Sequence, residues 1–219
     1  PSLSPLPGCF PRRPPLPSRV VVPRSLSRSG VLVSVSNNSA SSLKVLFVFP
    51  ASRINVVPHG VSHVFRPMSR EDLDIARVRL QLPERFILFV GTIEPRKNLI
   101  TLLEAWAMMR DRPDLVIVGD WGWLYEPIKE RLGRLGPSVH HIEGLDPAEL
   151  PAVYNLARLL APPAWYAGFG FPPLEAMACG PPVLVPCRAR LPEPARDAAP
   201  MSAADGPGTS RHAPASVGG

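Results

Sequence analysis

Residues 86–90 read FILFV, five consecutive apolar residues with no polar residue between them. A strand of this kind is buried on both faces, which is typical of a parallel sheet covered by helices on each side. Further short strands are predicted at 115–118 (LVIV), 139–142 (VHHI), 157–161 (ARLLA) and 182–185 (PVLV). The repetition of such strands is the strongest constraint on what the chain can fold into.

Helical patterns separate these runs, at 71–82, 99–110, 125–136 and 147–157. In the second of them one face collects the large apolar side chains Leu99, Leu102, Leu103, Trp106 and Met109. Strands that alternate with helices predict an α/β fold, a Rossmann-like parallel sheet with helices on both faces. With 86–90 taken as the first strand, we expect the strand order 3-2-1-4-5.

In a sheet of this order, ligands bind beyond the carboxyl ends of the strands, where the first strand lies beside the fourth. Two segments meet there, the first loop (91–98) and the second loop (163–175). Gly91 allows a sharp turn in the first loop. Arg96 and Lys97 follow at the start of a helix, where the helix dipole favours an anion. A guanidinium and an ammonium at this point suit a diphosphate.

The second loop contains the run YAGFGFPPLE. Gly168 and Gly170, on either side of Phe169, can present backbone N–H groups to a phosphate or a sugar. Glu175 lies one turn into the following helix, where its carboxylate can accept hydrogen bonds from two neighbouring hydroxyls, as on a ribose. A loop of this composition is common in proteins, so it also fits a helix cap without a ligand.

The flanks differ from this central part. Residues 1–52 are rich in Pro and Arg, and we expect them to be mostly disordered, although 31–50 contain β-type runs, VLVSV and LKVLFVF. Residues 53–199 form the expected Rossmann-like domain, and 200–219 a disordered tail. Five arginines and no acid occur in the first 30 residues, which leaves a net charge of only +1 for the remainder. This distribution argues against nucleic-acid binding.

Three cysteines without CxxC spacing favour a reducing, cytoplasmic location over a disulfide framework. Neither a membrane span nor a membrane-surface segment is indicated. His59 and His63 are four residues apart, but Gly60 lies between them and no HExxH motif is present, so no metal site is predicted. Trp121 and Trp123 allow two interpretations, stacking on a base and ordinary loop packing.

Several ordered motifs together resemble the nucleotide-sugar-binding, C-terminal half of GT-B glycosyltransferases of family 4, also called glycosyltransferase group 1. They are INVVPHGVSHVFRP, FILFVGTIEPRKNL, HIEGLDPAELPAVYNLA, YAGFGFPPLEAMACGPPVLV and LPEPARDAA. The resemblance runs from about residue 53 to about residue 199. A set of motifs in one order is far more specific than any one of them alone.

The resemblance implies a role for each matching residue. Arg96 and Lys97 would contact the donor diphosphate, and Glu175 would hold the ribose. The backbone of 168–170 would lie against the sugar and phosphate. The family's first signature acid, which contacts the transferred sugar, falls on Ala167 here. That role therefore does not transfer to this chain.

The function implied is retaining transfer of a hexose from a nucleotide-diphosphate sugar to a glycan or a lipid-linked acceptor. The first loop is similar to that of mannosyltransferases of polysaccharide biosynthesis, so mannose is the first choice of sugar and GDP-mannose of donor. No cofactor and no metal are implied. Residues 1–52 are too short for the family's acceptor domain, so the chain is expected to be truncated. A non-catalytic nucleotide-sugar-binding module, an eroded gene fragment and an epimerase of the same fold are the alternatives.

Overall fold

The computed structural model describes residues 16–165, 168–186 and 201–202. Its helices are α1 (Leu16–Arg28), α2 (Asn37–Phe47), α3 (Arg70–Arg79), α4 (Leu99–Ala107), α5 (Glu126–Gly133), α6 (Leu150–Leu156) and α7 (Phe171–Cys179). Its strands are β1 (Leu32–Ser34), β2 (Ile54–Val56), β3 (Phe86–Val90), β4 (Asp114–Val118), β5 (Val139–Ile142), β6 (Leu159–Leu160), β7 (Val185–Pro186) and β8 (Met201–Ser202).

The central sheet contains four parallel strands in the order β5-β4-β3-β6. This is the predicted order 3-2-1-4, so the α/β prediction is confirmed for these four positions. The predicted fifth strand, 182–185, joins the sheet only through a bridge between Leu160 and Val183. Its last residue begins β7, which pairs instead with β8.

Both faces of the central sheet are covered, as the FILFV run predicts. Phe86 and Leu88 of β3 belong to the apolar cluster that includes α6 and α7. The intervening Ile87 and Phe89 belong to a second cluster, under α4 and α5. Because successive residues of a strand point to opposite faces, a strand between two helical layers must be apolar throughout.

The helix predicted at 147–157 begins three residues later than expected. In the structure, 146–149 form a turn, in which Asp146 Oδ1 accepts a hydrogen bond of 2.9 Å from the Ala148 N–H. Pro151 explains the difference. In a helix that started at residue 147, its ring would clash with the carbonyl four residues earlier, whereas it fits the first turn of α6.

Two further predictions, one in the central part and one in the tail, need correction. Helix α4 ends at Ala107, so Met109 lies beyond it and is 43% exposed rather than on the buried face. Leu99, Leu103 and Trp106 are fully buried, as expected. Met201 and Ser202, predicted to lie in a disordered tail, form β8.

The prediction of a mostly disordered segment up to residue 52 is also corrected, since α1, β1 and α2 lie there. The run LKVLFVF, interpreted as β, is helical through Phe47. Strands β1 and β2 pair in parallel as a separate two-stranded sheet. Two parallel neighbours need a long crossover connection, and α2 supplies it. The domain boundaries at 53 and 199 stay predictions.

Ser36 caps the start of α2, because its Oγ accepts a hydrogen bond of 3.1 Å from the Ser39 N–H. The β1-α2-β2 unit (residues 32–56) is therefore locally well defined although few of its side chains are buried. Among the residues that the structure describes, no helix has both the length and the apolar character that crossing a bilayer requires.

Candidate functional site

The carboxyl ends of β3 and β4 approach each other closely at two glycines. Gly91 and Gly119 have φ angles of 142° and 150°, in the region that favours glycine. A Cβ on Gly119 would lie 2.2 Å from the Gly91 carbonyl oxygen. The Gly91 N–H also donates a hydrogen bond of 2.9 Å to the Val118 carbonyl. These contacts fix the point from which the first loop starts.

The first loop turns through a short 3-10 helix at Pro95–Lys97. Glu94, whose side chain is only 1% exposed, forms one hydrogen-bonded salt bridge with the Arg96 guanidinium. A carboxylate so deeply buried is stable only when it is paired. Glu94 therefore holds Arg96 in place at the edge of the sheet. Glu94 was not among the residues predicted from the sequence, although its position two residues before a basic pair was a usable signal.

Lys97 lies over the backbone of Gly91, since a Cβ built on that glycine would be 3.4 Å from Lys97 Nζ. The lysine is half-buried and forms no salt bridge with the residues that the structure describes. Burial, followed by the nearby Arg96 charge, lowers the pKa of Lys97, and Glu94 offsets this only in part. An anion placed beside the ammonium would relieve both effects.

Hydrogen bonds join the first loop to the second loop. Asn98 Nδ2 donates to the Pro163 carbonyl at 3.2 Å. The Trp165 N–H donates to the Arg96 carbonyl at 3.3 Å. The structure therefore brings the two predicted loops together at the carboxyl edge of the sheet, where the topology places a ligand site.

The described end of the second loop leads directly into α7. Gly170 precedes the helix with a φ of 84°, and prolines occupy its first turn, where their missing N–H groups are not needed. Phe169 is buried and contacts Phe171, with 4.9 Å between ring centroids. Ala167, predicted to stand in place of a sugar-contacting acid, lies outside the described residues.

Glu175 lies in α7 and faces the fully buried Tyr154 of α6. The Tyr154 hydroxyl donates a hydrogen bond of 2.8 Å to Glu175 Oε2. Burial raises the pKa of Glu175, and the hydrogen bond from Tyr154 partly opposes this shift. Burial and the same carboxylate raise the pKa of Tyr154. Tyr154 was not among the predicted site residues, because a tyrosine in an apolar helix usually indicates core packing.

Three other residues outside the predicted site contact its second loop. Ser36 and Ser39 donate hydrogen bonds to the Gly168 carbonyl, at 2.7 Å and 3.2 Å. The His59 ring packs against Phe169 and Phe171, with centroid distances of 5.1 Å and 5.3 Å. No local sequence pattern marked these contacts, which join positions more than 100 residues apart.

The choice left open for Trp121, between stacking on a base and loop packing, is answered by its contacts. Trp121 packs against Tyr125, Lys129 and His141, which is loop packing rather than an exposed stacking platform. His140 hydrogen-bonds to Asp114 Oδ2 at 2.9 Å, while His141 contacts the Gly119 carbonyl at 2.7 Å. Within residues 16–165, 168–186 and 201–202, no three potential metal ligands cluster.

Comparison with curated proteins relates the chain to glycosyltransferases. It is 34% identical over 182 residues to O-antigen chain mannosyltransferase B of Escherichia coli, a match that covers 80% of this chain and 48% of that protein. It is 35% identical to a D-inositol 3-phosphate glycosyltransferase of Segniliparus rotundus, with 73% of this chain and 37% of the relative covered. The chain thus spans about half or less of the length of the curated relatives it matches.

Solved structures show the same fold. A crystal structure of HepE from Anabaena in complex with UDP-glucose superposes with a TM-score of 0.68 at 21% identity, over 78% of this chain and 48% of that one. Sucrose-phosphate synthase from Thermosynechococcus elongatus gives a TM-score of 0.64 at 25% identity, over 80% and 49%. The predicted α/β fold, similar to that of GT-B glycosyltransferases, is confirmed.

The family model that matches this chain covers residues 71–197 and includes both loops of the site. Together with the mannosyltransferase relatives, this match confirms the resemblance found in the sequence motifs. The chain belongs to the family of glycosyl transferases group 1.

Proposed function

We propose that the chain binds the diphosphate of a nucleotide sugar between the first and second loops. The observation that carries this proposal is the position of Lys97. A half-buried cation with a lowered pKa and no salt bridge to the described residues lies at the carboxyl edge of the sheet. Holding such a charge there costs free energy that a bound anion would recover.

In this proposal Arg96 and Lys97 neutralise the diphosphate as it leaves the sugar. Preorganised positive charges that face a developing negative charge lower the barrier, because they need no rearrangement during the reaction. Glu94 preorganises Arg96 through their buried salt bridge. Lys97 is held close to the Gly91 backbone. The backbone of Gly91 and of 168–170 lines the same edge and would lie against the phosphates and the sugar.

Glu175 is proposed to hold the ribose. The Tyr154 hydroxyl occupies Glu175 Oε2, which leaves Oε1 to accept hydrogen bonds from the donor. While it is ionised, a carboxylate accepts at both oxygens, and protonation turns one of them into a donor. Tyr154 contributes here as a positioning residue, since its hydrogen bond fixes the rotamer of Glu175.

We further propose that a complete enzyme containing this chain transfers a hexose with retention to a glycan or a lipid-linked acceptor. Mannose is favoured because the curated relatives include mannosyltransferases that match with up to 34% identity. GDP-mannose is the first choice of donor. A cytoplasmic location agrees with the free, buried thiol of Cys179.

A binding module without transferase activity is the second candidate. It is favoured by Ala167, which stands where the family has a sugar-contacting acid. The two candidates share the diphosphate site and differ in turnover. Release of free sugar or transfer from GDP-mannose by the purified chain, above that of a Glu175→Ala variant, would decide for the enzyme.

The pH dependence of binding tests the proposed site. We expect the affinity for GDP-mannose or UDP-glucose to be highest between the raised pKa of Glu175 and the lowered pKa of Lys97. As the pH falls through the first pKa, Glu175 is protonated and loses an acceptor. As the pH rises through the second, Lys97 loses its charge. The curve of affinity against pH should therefore have an acid limb and an alkaline limb. Along each limb the affinity should fall by ~10-fold or more, the effect of losing one charge-assisted hydrogen bond.

Calorimetric titration at a series of pH values measures both limbs. Nucleotide sugars are suitable ligands because their diphosphate is esterified at both ends and does not titrate near neutrality. Glu175→Gln should flatten the acid limb, and Lys97→Arg should move the alkaline limb to higher pH. Limbs that are the same in the parent and both variants would show that the donor binds elsewhere.

A further inference from the structure

The β1-α2-β2 unit contacts the second loop at one backbone carbonyl. Ser36 Oγ and Ser39 Oγ both lie within hydrogen-bonding distance of the Gly168 oxygen, at 2.7 Å and 3.2 Å. A carbonyl oxygen has two lone pairs, so it can accept both hydrogen bonds at once. Ser36 Oγ meanwhile accepts from the Ser39 N–H and caps α2. The serine pair (Ser36 and Ser39) is thus itself held by the helix start.

The contact determines how the next peptide group is oriented. In a trans peptide, the carbonyl of Gly168 and the N–H of Phe169 point in opposite directions. With its carbonyl held by the serine pair, the Phe169 N–H must point away from α2. Neither this N–H nor that of Gly170 has an acceptor among the described residues. Within the part of the chain that the structure describes, two adjacent donors are thus available to a ligand.

A second contact, from His59 just after β2, helps to keep the second loop in this orientation. The His59 ring meets Phe169 edge-on and stacks on Phe171, at interplanar angles of 86° and 28°. Phe169 is only 6% exposed, so its side chain is held in place by this packing. Crowding around Gly168 does not explain this orientation of the loop. A Cβ built on Gly168 would have only Ser39 Oγ as a near neighbour, at 4.0 Å.

We propose that Ser36 and Ser39 are positioning residues of the sugar-donor site, which hold the Gly168 carbonyl so that the Phe169 and Gly170 N–H groups face the donor diphosphate. The inference rests on the proposed function. It adds that the donor site depends on a unit outside the matched family region, which starts at residue 71. By linkage, a bound donor should in turn stabilise the contact between α2 and the second loop.

The test separates this role from helix capping. Ser36→Asp keeps a side-chain acceptor for the cap but supplies no hydroxyl donor, and Ser39→Ala removes the second donor. Ser39→Thr keeps the hydroxyl. Ser42→Ala is the matched control, because the Ser42 hydroxyl donates within α2, to the Asn38 carbonyl, and does not reach the loop.

Calorimetric titration with GDP-mannose and UDP-glucose should give a dissociation constant raised by ~3- to 10-fold for Ser39→Ala, and further for Ser36→Asp/Ser39→Ala, the effect of one or two neutral hydrogen bonds. Ser39→Thr and Ser42→Ala should bind like the parent. Hydrogen exchange of the α2 amides should slow on donor addition in the parent and not in the double variant.

Unchanged affinity in the double variant, with binding still abolished by Arg96→Ala/Lys97→Ala, would overturn the role of the serine pair and leave the proposed function intact. An equal loss in Ser42→Ala would also overturn it, because a general weakening of α2 would then be the cause. Absence of binding to the parent would overturn both.

Discussion

Replacing Lys97 by alanine should weaken the binding of a nucleotide sugar by ~10- to 100-fold without destabilising the protein. The lost interaction is a charge-assisted hydrogen bond to phosphate, worth about 1.5–3 kcal/mol. Stability should stay the same or rise, because the ammonium is desolvated and forms no salt bridge to the described residues. Calorimetry gives the affinity, and urea unfolding followed by circular dichroism gives the free energy of unfolding.

The double variant Arg96→Ala/Lys97→Ala should lose ~10²- to 10⁴-fold in affinity. It is also expected to be less stable, since removing Arg96 leaves the buried Glu94 carboxylate without its partner. Arg70→Ala is the matched control for charge. Its side chain is 92% exposed and forms only a surface salt bridge of 3.6 Å with Asp74. If Lys97→Ala binds as tightly as Arg70→Ala, the diphosphate site is misplaced.

The second large effect is expected on stability. Gly119→Ala should cost about 3 kcal/mol or more of unfolding free energy, from overpacking and backbone strain together. The new Cβ would lie 2.2 Å from the Gly91 oxygen and 2.7 Å from the Gly91 carbonyl carbon. Both atoms belong to the backbone, so the ends of β3 and β4 must separate to relieve the clash. The φ of 150° adds strain for any residue with a side chain.

Gly133→Ala is the matched control, since it introduces the same methyl group at the end of α5 with nothing within 4 Å. It should be neutral or stabilising by up to ~1 kcal/mol. Urea unfolding of both variants measures the difference. A Gly119→Ala variant within 1 kcal/mol of Gly133→Ala would contradict the close approach of the two strand ends.

The central sheet was predictable because its strands are buried on both faces. A short, wholly apolar run such as FILFV between amphipathic helices is best explained as a strand covered on both faces. Strands β3, β4 and β5 accordingly lie close to their expected positions. The run at 43–49 was predicted wrongly because its Val and Phe residues favour strands. What decides its conformation is the pairing of β1 with β2, which requires a crossover and is not visible locally.

In the candidate site, too, some residues could be predicted from local sequence and others could not. Gly91, Arg96, Lys97 and Glu175 could be proposed from sequence because each lies in a short segment with unusual chemistry. Their donor-binding roles stay predictions. The contacts of Ser36 and Ser39 with Gly168 span 132 and 129 positions of the chain, so only the fold reveals them.

The most direct measurement of the central claim is a titration of the ¹⁵N-labelled chain with GDP-mannose or UDP-glucose, followed by two-dimensional NMR. We predict that shifts concentrate on the amides of 91–94, 96–97 and 168–170, at the carboxyl edge of the sheet. A cavity of about 350 Å³ at the opposite edge, lined by residues that include Arg85, Asp111 and Arg112, is the internal comparison. Shifts confined to that opposite edge, or no shifts at all, would contradict the account.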